Sequence, residues 1–272
     1  MKDLITINET NLRIRPSAID TFNQCSFQWA KVFLEGITTI PNSRAAIGTG
    51  VHAGVETMWN DAIRSGKKDP YVDGMVDAGV EAFDEELKLG NMRFDDGEDQ
   101  NSCHMEIVQG INCYVDNLVD FLDIPTAVEK RFTVPISNHP LVQDISGTVD
   151  YIAPGRIDDV KTSKRKPSVA NYKTQQSIYR FLAEENGHPV THNMIQGVVF
   201  TKTPQAMILE ADIDVQQAKN VVNSLLDTLR VAAEGSVPLD VLFRCNPKYY
   251  LCSNKYCTLY GSCPATKRHS PK

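Results

Sequence analysis

The hydrophobic positions of this chain change period partway along it. In the first half they recur every three or four residues, as on one face of a helix; after Pro125 they alternate, and from there the two periods take turns. Helices are predicted at residues 18–35, with Ser17 as cap and Gly36 as stop, at 48–64, ending near Gly66, and at 73–89 and 103–121. Between the last two lies a polar, acidic stretch, residues 91–102, that reads as a mobile loop, either a lid or simply solvated. Strands are predicted at 126–136, 144–153 and 156–162, the last pair turned by Pro154-Gly155, and at 194–201 and 206–213. Two more helices fall at 171–185 and 215–234. From Cys245 onward the chain is short-ranged, polar and cysteine-rich, and such a tail buries no core of its own without a covalent or metal constraint.

Helices first, then a strand meander with interleaved helices, predict an α/β fold with a mixed central sheet flanked by helices. The expected organisation is a helical N-terminal region at 1–125, a core at 126–240 and a cysteine-rich tail at 241–272, all as one structural unit. With 34 acidic against 28 basic residues the formal charge is −6, which argues against a protein that coats polyanions: any nucleic-acid contact has to be local. The opening residues lack the apolar run of a secretory signal and no segment reaches 18 uninterrupted apolar residues, so the expectation is a soluble, cytoplasmic protein without membrane contact.

Candidate chemistry concentrates at two neighbouring strand ends. Gly147-Thr148-Val149-Asp150-Tyr151-Ile152 and the triplet Asp159-Val160-Lys161 bring two carboxylates and an ammonium together. Strand alternation sends Asp159 and Lys161 to one face, and Asp158 and Val160 to the other, Val160 into the core. A carboxylate there can hold a hard divalent cation beside the lysine, an arrangement suited to metal-assisted phosphodiester cleavage. On the following helix Gln175 and Tyr179 share a face, with Tyr172 one turn earlier. The run Lys164-Arg165-Lys166 is either a solvated loop or the local positive charge that the chain as a whole lacks. Seven cysteines, an odd number without a secretory signal, read as metal ligands or buried thiols rather than disulfides. Cys252, Cys257 and Cys263, preceded by Cys245, form a metal signal open to zinc or an iron–sulfur centre, whereas Cys103 and Cys113 read as buried thiols.

Taken in order, residues 17–25, the segment Gly48-Thr49-Gly50-Val51-His52, the stretch from Glu129 through Asp159-Val160-Lys161, residues 175–179 and the terminal cysteines resemble the RecB-like branch of the PD-(D/E)XK nuclease superfamily. The likeness is close to the iron–sulfur exonucleases of phages and CRISPR adaptation modules. It implies a restriction-endonuclease-like core in which His52, Asp150 and Asp159 bind Mg2+ or Mn2+, Lys161 positions or polarises the attacking water, and Gln175 holds a phosphate oxygen or a metal-bound water. Gly48 and Gly50 would let the helix start approach the sheet. Tyr179 would pack at the sheet edge or touch the DNA backbone, and Lys164, Arg165 and Lys166 would hold substrate. Glu129 sits where related nucleases often place an additional acid, and reads equally as an exposed strand residue paired with Lys130 or Arg131.

For the cysteines the resemblance implies a 4Fe-4S cluster on Cys25, Cys252, Cys257 and Cys263, with a local zinc site of Cys245, Cys252, Cys257 and Cys263 as the alternative. The implied activity is a metal-dependent DNA nuclease, an exonuclease acting on single-stranded or duplex ends in recombination, repair or replication, with a possible helicase or recombination partner. Two other readings remain open: a DNA-end-binding module that no longer cuts, and a zinc-stabilised interaction protein.

Overall fold

The computed structural model describes residues 5–90, 92–249 and 251–267. Its six strands form one mixed sheet: β1 (Leu12–Ile14), β2 (Ala127–Pro135), β3 (Val142–Ala153), β4 (Arg156–Ser163), β5 (His192–Val199) and β6 (Gln205–Glu210), in the order β1-β3-β4-β5-β6 with β2 also on β3. β3 and β4 are antiparallel across the predicted Pro154-Gly155 turn, β4 and β5 are parallel, and β5 and β6 are antiparallel again. A parallel step needs a crossover, supplied here by helix α6 (Lys173–Glu185). The mixed sheet and its flanking helices were predicted; β1, parallel to β3, was not, because three residues are too few to show a period.

The chain divides into two compact units, the larger made of residues 40–132 and 148–213. Its core joins α3 (Ser43–Ser65), α4 (Val72–Lys88) and α5 (Gln100–Leu118) to the sheet, with Val55, Trp59, Ile107 and Ile111 packed in one buried cluster with Tyr151, Val160 and Val198. Helix α3 starts five residues before the predicted position because Asn42 caps it, its side chain accepting the Ala45 amide, while two early glycines hide the helical signal. It ends as predicted at Gly66, which takes the left-handed conformation (φ 69°). Gly48 does approach the sheet, since a Cβ there would stand 3.0 Å from Thr162 Oγ1. Gly50 does not: it faces α4, where a Cβ would meet the Gly79 carbonyl at 2.7 Å and Ile107 Cδ1 at 2.8 Å, so its role is helix–helix contact.

The predicted loop is shorter and better held than its polarity implied. Asn91 lies outside the described residues, and α5 begins at Gln100 behind a reciprocal Asp99–Ser102 capping box. In between, Arg93 bridges to Asn42, and Glu98 accepts from Ser43 Oγ at 2.5 Å and from the Asp95 amide at 3.1 Å while pairing with Arg44 and Lys164. Long-range ion pairs anchor this loop, and nothing in its local sequence announces them.

The second unit comprises residues 1–39, 133–147 and 214–272. The single helix expected at 18–35 is two, α1 (Pro16–Gln24) and α2 (Ser26–Phe33), broken where Cys25 turns extended. Ser17 is not the cap; Arg15 holds that position without a side-chain bond, and Pro16 starts the helix. The break follows from competition for backbone groups: Asn246 Nδ2 donates to the Gln24 carbonyl at 2.7 Å, and the Phe27 amide donates to Arg244 O at 3.1 Å. Trp29, wholly buried, stacks on Phe33 and Phe243. Helix α7 (Val215–Glu234) buries Ala218, Val222, Leu225 and Leu229 on one face. No described helix is long and apolar enough to cross a membrane.

Substituting Gly50→Ala is expected to lower stability by about 1–3 kcal/mol, because backbone on the α4 side gives little room. Thermal unfolding against a Gly261→Ala control, whose Cβ meets nothing within 4 Å, checks this: equal melting temperatures would refute it.

Candidate active site

Asp150 and Asp159 come together because β3 and β4 share a short ladder. Tyr151 pairs with Asp158, and beyond that pair a side chain takes over: Asp150 Oδ2 accepts the Val160 amide at 2.7 Å. The other end of the same residue holds His52, whose Nε2 lies 2.6 Å from the Val160 carbonyl. A carbonyl only accepts, so Nε2 carries a proton, and Nδ1 lies 3.4 Å from Asp150 Oδ2. That orientation is the one a metal-ligating imidazole needs.

Glu129 completes the group. His52, Glu129 and Asp150 offer ligand atoms that all lie within 4.8 Å of one another, and among the described residues no other three such side chains do so. Glu129 has φ 49°, a left-handed conformation unusual for a non-glycine residue inside a strand. The exposed run Glu129, Lys130 and Arg131 breaks the alternation of β2 at the same point. Backbone strain held at a cluster of charges favours a functional role for Glu129 over an ordinary surface pair. Partial desolvation of its carboxyl end, followed by the charges of Asp150 and Glu56, pushes Glu129 up to about 7. Its side chain is solvent-exposed, and water screens part of that repulsion.

Asp159 is almost completely buried, and its Oδ1 has no hydrogen-bond donor. Its Oδ2 stands 2.6 Å from Lys161 Nζ. Burial pushes the Asp159 carboxyl up despite the lysine, and the Asp150 charge adds to the effect. Burial alone would lower Lys161, but Asp159 and Asp150 outweigh it and hold the ammonium above its usual range. Glu129, Asp150 and the His52 imidazole, with the orphaned buried Asp159 Oδ1 outside that group, are donors that fit a hard divalent cation; the expected trio of His52, Asp150 and Asp159 does not itself close to within 4.8 Å.

Asp158 faces the other way, as expected: Arg156 donates to both its oxygens, at 2.7 and 3.0 Å, and Gln196 Nε2 donates at 2.9 Å. On α6, Gln175 Nε2 donates to Tyr179 OH at 3.3 Å, and the Tyr172 ring lies 5.9 Å from Lys161 Nζ. Lys164, Arg165 and Lys166 are exposed on the loop after β4, with Lys164 already engaged by Glu98 at 3.1 Å and Asp95 at 3.5 Å. An open groove of about 560 Å³ runs past His52 and Lys161 and is also lined by Arg44, Gly48, Thr49 and Thr162. Two participants escape the sequence reading. Glu56 lies four residues after His52 on α3, a spacing that would have flagged it, whereas Arg44 carries no local signal.

In the other unit Cys25, Cys252, Cys257 and Cys263 line one small enclosed pocket, and Cys245 Sγ lies 3.4 Å from Cys263 Sγ. Burial, with the neighbouring thiols, holds Cys245, Cys252 and Cys257 above the usual thiol range. Such crowding fits a soft cationic centre that would draw the protons off. Cys103 and Cys113 are buried free thiols, as expected.

Residues 13–264 match the family profile of the PD-(D/E)XK nuclease superfamily. No curated protein matches the chain in sequence. Among solved structures, the "Putative exonuclease" of Eubacterium rectale superposes with a TM-score of 0.61 at 13% identity, covering 96% of this chain and 89% of that one. The protein SSO0001 gives a TM-score of 0.36 at 13% identity over 85% of this chain and 88% of that one, too distant to bear on the fold.

Glu129→Gly relieves the left-handed strain and one crowded charge, so the metal-free variant is expected to be more stable by about 1 kcal/mol while binding Mn2+ at least tenfold more weakly. Thermal melts and calorimetric Mn2+ titration check this together; a destabilised variant with undiminished affinity would remove Glu129 from the site.

Proposed function

The chain belongs to the PD-(D/E)XK nuclease superfamily, and we propose that it is a divalent-metal-dependent deoxyribonuclease that acts on DNA ends. The observation that carries this reading is the gathering of His52, Glu129 and Asp150 around the strand end that also bears the Asp159–Lys161 pair. When bound, Mg2+ or Mn2+ supplies a Lewis acid that neutralises phosphate charge and acidifies the attacking water. His52 Nδ1, Asp150 and Glu129 would hold it, joined by Asp159 through its unpartnered Oδ1; an imidazole in the set favours Mn2+.

Lys161, its ammonium held above its usual range beside Asp159, serves as a cation for developing phosphate charge and as a donor that orients water. Gln175, with its amide donating to Tyr179, keeps its carbonyl oxygen free to accept from a water. Lys164, Arg165 and Lys166 supply the local positive charge for backbone phosphates, with Lys164 exchanging its carboxylate partners for them. End-directed cleavage draws support from the family resemblance and from the name carried by the Eubacterium rectale protein.

Labelled linear and circular DNA incubated with Mg2+ or Mn2+ tests this. Wild type is expected to degrade the linear form and spare the circle, and Asp159→Ala and Lys161→Ala to lose at least about 10²-fold in rate. Activity that survives both substitutions would sink the assignment, and equal cutting of circles would sink the end-directed part alone.

For the tail, we infer a 4Fe-4S cluster held by Cys25, Cys252, Cys257 and Cys263. The shared pocket of these four supports it. Protein purified without oxygen should carry about four irons with matching sulfide and visible absorbance, lost in Cys25→Ala. Stoichiometric zinc without iron would point instead to the Cys245, Cys252, Cys257, Cys263 site.

A further inference from the structure

A centre on Cys25, Cys252, Cys257 and Cys263 leaves the fourth cysteine of the tail, Cys245, unexplained. Cys245 Sγ touches Cys263 Sγ at 3.4 Å, and the backbone on both sides of Cys245 is fixed. Before it, Arg244 donates its amide to Ser26 Oγ at 2.8 Å and accepts the Phe27 amide at 3.1 Å; after it, Asn246 Nδ2 donates to Gln24 O at 2.7 Å. Cys263 is equally fixed, its amide donating to Leu259 O at 2.8 Å and its carbonyl accepting from Thr266 at 3.1 Å. Two thiols presented to each other by tied backbone need to close only from contact to a bond of about 2.05 Å. Cys245 is the more accessible of the two, Cys263 being buried.

We propose that Cys245 and Cys263 form a reversible dithiol–disulfide pair, and that the disulfide withdraws Cys263 from the ligand set so that the tail cannot take up its metal centre until it is reduced. The pair stands by itself; the control of metal loading rests on the iron–sulfur reading above. The oxidant is a low-molecular-weight disulfide, RSSR. The small thiolate fraction of Cys245, a thiol that burial and Cys263 hold above its usual range, attacks one of its sulfurs, so the exchange is slow; the S–S bond breaks and one RSH leaves with the proton from Cys245. The Cys263 thiolate then attacks Cys245 Sγ, releasing the second RSH with the other proton. Two protein thiols lose two electrons and RSSR gains them; excess dithiol runs the exchange backward.

The test uses the full chain, stripped of metal, reduced, and exposed to oxidised glutathione. Wild type is expected to lose two hydrogens in intact mass and to yield a Cys245–Cys263 linked peptide on mapping, while Cys245→Ser yields no internal bridge to Cys263. Four free tail thiols after exposure, or a bridge between other cysteines, would overturn the pair. In a second arm, ferrous iron and sulfide are added without reductant. Oxidised wild type is expected to take up less than one-tenth of the iron taken by the reduced form, with uptake restored by dithiothreitol. Equal loading of oxidised and reduced protein would overturn the control. A mapped bridge in a protein whose reduced form takes no iron would leave the pair standing and remove the iron–sulfur reading.

Discussion

The backbone of one residue, Val160, orients the whole proposed centre. The Val160 amide donates to Asp150, its carbonyl fixes the His52 ring, and its side chain is completely buried in the cluster formed with α3 and α5. The middle residue of Asp159-Val160-Lys161 therefore has its side chain in the core and its backbone in the site. Each bond contributes on the order of 1 kcal/mol to stability, but their geometric effect is larger: they set the imidazole tautomer and aim a carboxylate before any ligand arrives. The flanking positions follow from the same strand. Asp158, on the Val160 side, is held by Arg156 and Gln196; Gln196 accepts from the Tyr114 hydroxyl, which in turn accepts from Trp59 Nε1. Asp159 and Lys161, on the opposite side, are left for chemistry.

That geometry is electrostatically costly when empty of positive charge. Asp150, Glu129 and Glu56 repel one another, Asp159 is buried with an unpartnered oxygen, and the one ammonium at the centre is committed to Asp159. A fold selected for stability alone would not place Glu129 in a left-handed conformation to add a further acid to such a group. Near the groove the balance is opposite: Arg44 and Lys164 are cations already satisfied by Glu98 and Asp95. An incoming polyanion would have to exchange with those carboxylates, which makes its binding sensitive to salt.

Period and chemistry were legible in the sequence to different depths. The alternation of β4 separated Asp158 from Asp159 correctly, and Pro154-Gly155 marked the turn that brings Asp150 beside them. What escaped was set by partners far along the chain. The break at Cys25 arises because Arg244 and Asn246 take backbone groups that a continuous helix would use, and no local propensity records that. The loop before α5 looked free because its charges are polar in sequence and paired only in space. Glu129 was weighed equally between ligand and surface residue; its backbone angle, invisible in the sequence, tips the balance.

The tail obeys a different logic from the strand-held centre. After α7 the described chain contains only two four-residue helical turns, and few of its apolar side chains, Phe243 and Leu259 among them, are buried. Ordering each residue costs roughly 1–2 kcal/mol, more than so small an apolar contribution recovers. The proposed cysteine-bound centre, whose binding energy would also be folding energy, would meet that deficit. Cys25 then matters more than the other thiols, because Cys252, Cys257 and Cys263 close only short loops among themselves. Cys25 sits beside Ser26, which bonds Arg244 across 218 positions of sequence, so a ligand there converts a local loop into a tie between distant segments of the same unit. The extended Cys25 backbone that interrupts the first helix, fixed by the bonds of Arg244 and Asn246, would present that thiol to the proposed centre.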